Sequence, residues 1–115
     1  MADKADDYQK LINQKRFLGE LEQGIRFANR EIIHDLIPAL NKETFLSFAV
    51  SVGRLRAQYL RAAFDLATQH GHHHVPNRAQ IDELRARREM FEEAKSAFEA
   101  LREAIEKGYV DVDGL

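Results

Sequence analysis

The chain has 115 residues, of which 44% are apolar and 31% charged, with 17 Lys and Arg against 19 Asp and Glu. That mixture excludes a disordered polyelectrolyte, and a formal charge of −2 supplies no global basic field that would draw nucleic acid or an anionic membrane. Cysteine is absent, which removes disulfides, thiolate metal sites and thiol nucleophiles.

The N-terminal stretch, Met1 to Lys10, is charged and has no apolar run of the secretory type. No segment approaches the roughly 18 unbroken apolar residues of a membrane span. These features predict a cytoplasmic protein with no membrane partner. One helical domain is expected over 1–115.

The first predicted helix covers about 5–37. Leu11, Leu18, Ile25 and Ile32 recur every seven residues and mark its apolar seam. Asp6 and Asp7 favour its positive N-terminal end. Gly19 and Gly24 each cost about 1 kcal/mol against Ala inside a helix, so they mark a close contact or a bend. Pro38 pushes Ile37 out of helical geometry and stops the run.

The second predicted helix covers about 42–69, capped by Asn41, with Gly71 as the left-handed residue beyond its end. Its seam is Phe45, Val52, Tyr59 and Leu66. A second apolar stripe adds Leu46, Val50, Gly53, Ala57, Leu60, Phe64 and Ala67, so apolar residues cover roughly 200° of the circumference. That is more than one neighbouring helix can cover. Val50, Gly53, Ala57, Leu60 and Phe64, with Phe17 and Phe27 of the first helix, are therefore the expected self-association surface. Gly53 and Ala57, a turn apart, let a partner helix approach closely.

The third predicted helix covers about 78–107. Asn77 and Gln80 have the spacing of a capping box, and Gly108 ends the run. Its seam is Leu84, Phe91, Phe98 and Ile105, and the rest of its surface is charged. The tail 109–115 is expected to fray, unless Tyr109 and Val110 pack back. Short connections predict an all-α, up-down-up antiparallel bundle of three long helices, pairing with a second copy.

Two histidine features carry alternative chemistry. His70, His72, His73 and His74 crowd the second connection, and imidazole binds divalent transition metals well. Adjacent loop histidines point apart, however, and no carboxylate stands at a signature spacing. The segment Ile32-Ile-His-Asp-Leu-Ile-Pro38 resembles the phosphoacceptor helix of histidine kinases and histidine phosphotransferases, in which a histidine followed by an acid is phosphorylated on its ring. The resemblance covers seven residues and implies His34 as acceptor with Asp35 as its acidic neighbour.

No phosphate loop, nucleophile elbow or di-iron motif is present in the sequence, so no enzyme and no resident cofactor are expected. Arg78, Arg85, Arg87 and Arg88 begin the third helix, but Asp82, Glu83 and Glu89 interleave with them, which argues for ion pairing rather than nucleic acid. The sequence reads as a non-catalytic helical interaction module that forms a homodimer or higher assembly and binds another protein.

Overall fold

The computed structural model describes residues 4–38, 40–69, 71–73 and 75–115. They form three helices: α1 (Lys4–Leu36), α2 (Lys42–Thr68) and α3 (Arg78–Glu106), with no strand among the described residues. The all-α class and the three long helices agree with the sequence reading, and each boundary falls within one residue of it. No helix among the described residues is long and apolar enough to cross a membrane.

The helix ends follow from side-chain chemistry. The Asn41 side chain accepts from the Thr44 amide at 2.9 Å, and Thr44 Oγ1 accepts from the Asn41 amide at 3.0 Å. Two amides that the helix would leave orphaned are thus satisfied together. Asn77 and Gln80 repeat the arrangement at the start of α3, both bonds at 2.9 Å. At the end of α3 the Gly108 amide donates to the Ile105 carbonyl at 3.0 Å and the Tyr109 amide to the Ala104 carbonyl at 2.8 Å. Gly108 has φ +74°, the left-handed conformation this double closure requires.

The chain divides into two compact units. One comprises residues 41–103 with 113–115. Here α2 and α3 pack antiparallel, because the pairs run in opposite senses along the two helices. Phe98 stacks on Phe45 at 4.8 Å and on Phe48 at 5.7 Å, and Phe91 stacks on Tyr59 at 6.2 Å. The seams predicted for these two helices face each other, and Val52 and Phe91 are the buried members of each. The Arg56 guanidinium lies over the Phe91 ring, 5.1 Å from its centre, and the Lys95 ammonium 6.0 Å from it, so both cations meet the electron-rich face of that ring.

The other unit comprises residues 1–40 with 104–112, and its description rests on 4–38, 40 and 104–112. The segment after α3 was expected to fray, yet Val110 is buried and Tyr109 half-buried. Leu40, also buried, forms an isolated parallel bridge with Val112. Arg30 pairs with Asp111 at 2.6 Å. A Cβ built at Gly108 would stand 3.4 Å from the Arg26 side chain, so glycine also leaves room for that arginine. The packing back of Tyr109 and Val110 follows from the Gly108 turn, which reverses the chain where the helix stops.

Candidate interaction surfaces

The seams of α2 and α3 face each other, and the seam of α1 is exposed. No residue of α1 is buried. Leu11, Leu18, Ile25 and Ile32 are between 44% and 61% exposed, although their period matches that of the other two seams. Phe17 and Leu21 lie beside that seam and are exposed as well. Apolar exposure of this extent on one helix is the feature that most needs a physical reason.

The residues proposed from sequence for self-association divide between the two units. On α1, Phe17 is exposed beside the seam, whereas Phe27 is exposed on a different arc of the helix, about 160° from Leu11 at 100° per residue. On α2, Val50, Leu60 and Phe64 are exposed together with Leu46. Gly53 is half-buried, with nothing within 4 Å of a Cβ built on it, and Ala57 is exposed. The second stripe of α2 is thus a continuous apolar face whose middle is made of small residues.

One feature of this unit is not apparent in the sequence. Between α2 and α3, toward the connection that joins them, lies a groove of about 850 Å³ lined by Ala62, Leu66, Ala79, Gln80 and neighbouring residues. Its rim carries two ion pairs, Arg61–Asp65 at 3.0 Å and Arg87–Glu83 at 2.9 Å, and Arg87 also donates to Gln58 at 3.1 Å. The cause is side-chain size. Aromatic rings fill the space between the helices around Phe98, and alanines leave it open at the other end. The only sequence signal is that Ala62 takes the heptad position on α2 that Phe48 holds at the other end.

The histidines are distributed as follows. His72 and His73 are exposed in a turn, and His70 and His74 lie outside the described residues. Among the described residues no three His, Cys, Asp or Glu side chains are grouped to hold a metal ion. His34 is exposed in the last turn of α1, with Asp35 beside it, also exposed. Arg85 and Arg87, near the start of α3, pair with acids of the same helix, Arg85 with Asp82 at 3.2 Å and Arg87 with Glu83 at 2.9 Å.

Comparison with known proteins returned no match to a family model, a curated protein or a solved structure.

Proposed function

We propose that this protein is a non-catalytic helical interaction module, cytoplasmic and self-associating, that presents a helical surface to a second copy and to a partner protein. The observation that carries the reading is the open seam of α1: four large aliphatic residues in heptad register, none of them buried in the single chain. A heptad seam is a pairing device, because it keeps one stripe of a helix turned toward a partner helix over several turns. The exposed stripe of α2 adds a second apolar face in the other unit. Burial of either face would supply the non-directional driving force of association. The pairing of Arg85 and Arg87 with acids of their own helix supports a protein partner over a phosphate backbone.

Sedimentation equilibrium of the untagged protein tests the reading. The expected species is a dimer or a higher assembly. Leu18→Glu on α1, or Leu60→Glu with Phe64→Glu on α2, should shift it toward the monomer and leave the helical circular dichroism of the α2–α3 unit in place. A wild-type chain that stays monomeric at high micromolar concentration would overturn the proposal.

A further inference from the structure

The groove at the connection end of the α2–α3 unit is lined by residues from 57–69 and 77–87, all within that one unit. Ala62 and Leu66 of the lining are only half-buried, so apolar surface there is still open to water. The cause is a missing ring. Ala62 takes the heptad position that Phe48 holds at the other end, where Phe98 stacks on it. An apolar group laid on Ala62 and Leu66 would complete the burial that the aromatic layer provides elsewhere in the hairpin.

The size of the groove limits its occupant. Along α2 the lining runs from Ala57 to Gln69, roughly 18 Å at 1.5 Å per residue. At one end Arg87 donates to Gln58 at 3.1 Å across the two helices, about one turn short of the Tyr59–Phe91 stack. At the other end stand Gln69 and Asn77, where the two helices stop. The space is about 850 Å³, within the roughly 300–1,000 Å³ of small-molecule clefts. A trough bounded in this way takes a compact molecule, whereas a docking helix would have to run past the Arg87–Gln58 bridge.

The rim sets the chemical class. Both of its arginines are held by carboxylates one turn away on their own helices, Arg61 by Asp65 at 3.0 Å and Arg87 by Glu83 at 2.9 Å. A ligand anion would have to displace Asp65 or Glu83, and a ligand cation would have to displace Arg61 or Arg87. The other polar side chains of the lining are uncharged amides. An uncharged ligand displaces none of these partners.

We infer that this groove is a binding site for an uncharged, largely apolar small molecule. Neither the α1 seam nor Leu60 and Phe64 contribute to its lining, so it stands or falls apart from self-association.

Phenylnaphthylamine, an uncharged fluorescent probe, tests the site in the full-length, untagged chain. The probe is expected to bind and to shift the backbone amide resonances of Ala62, Leu66 and Ala79. Ala62→Phe, which supplies the missing ring, should weaken binding roughly ten-fold or more, because the new side chain occupies the ligand's space. Leu60→Glu with Phe64→Glu should leave binding unchanged. Anilinonaphthalene sulfonate, the charged analogue, should bind roughly two- to five-fold more weakly, the scale of one exposed ion pair. No binding of the uncharged probe overturns the inference, as does binding that survives Ala62→Phe in a folded variant. Loss of binding in the Leu60/Phe64 variant, amide shifts confined to α1, or tighter binding of the sulfonate does the same. If Ala62→Phe fails to fold, as judged by circular dichroism, the amide shifts of the wild type decide alone. Movement of the same amides when the probe-free protein is concentrated means that a second copy fills the groove; that result overturns the inference and leaves self-association standing. A monomeric wild type that binds the probe at Ala62 and Leu66 supports the inference and removes self-association.

Discussion

Arg30 and Asp111 stand 81 positions apart in the chain and pair at 2.6 Å, joining α1 to the segment that follows α3. Their side chains are 48% and 60% exposed, so water screens the pair. Asp111→Asn should therefore cost less than about 1 kcal/mol. Val110→Ala, which removes buried methyl groups one position away, should cost more, about 1–2 kcal/mol. Urea denaturation of the two variants ranks them. An Asp111 variant that costs more than the Val110 variant would mean that charge, not burial, fastens the tail.

Phe91 is buried against Tyr59 beneath the cationic groups of Arg56 and Lys95, in a unit with few buried side chains. Phe91→Ala should cost about 3–4 kcal/mol, which would consume much of the stability of a domain this small. Measured in dilute monomer, Phe64→Ala should fall within about 0.5 kcal/mol of wild type, since its ring is exposed on the other side of the same hairpin. A large effect of Phe64→Ala that vanishes on dilution would locate the ring in an interface.

Two glycines make opposite predictions under the same substitution. Gly108→Ala should destabilise by about 1 kcal/mol or more, because its φ of +74° disfavours a side chain and the new Cβ would approach Arg26. Gly53→Ala should stabilise the isolated chain by up to about 1 kcal/mol, because the site is mid-helix and a Cβ meets nothing within 4 Å. Thermal unfolding of both variants at low concentration checks the signs.

The two Asn caps offer a local test. Asn41→Ala and Asn77→Ala each remove one side of a reciprocal pair of hydrogen bonds and should each cost about 1 kcal/mol. Amide exchange should quicken at Thr44 in the first variant and at Gln80 in the second. Unchanged exchange at those amides would mean that the caps contribute nothing to the helix ends.

The helix ends were readable from residues 41, 77, 80 and 108 because caps act over three or four positions and need no tertiary knowledge. The seams were readable because a seven-residue period is a local property. Which seams meet was not readable: Leu11, Phe45 and Leu84 begin ladders of the same period and residue class, and pairing them is a matter of tertiary packing. The seating of Val110 stood in the sequence only as the alternative to fraying, for the same reason, since nothing periodic announces it. The groove lined by Ala62 and Ala79 is a vacancy between two segments, visible only once both are in place.

The absence of any buried residue in α1 bears on what holds that helix together. Most of a helix's stability in water comes from packing an apolar face rather than from intrinsic propensity, and Gly19 and Gly24 lower the propensity further. Where copies pair through this face, dilution acts as a denaturant on the first segment and spares the α2–α3 hairpin. Far-ultraviolet ellipticity would then rise with protein concentration. The abundance of the chain, with no ligand or covalent mark, would set how much of it is folded.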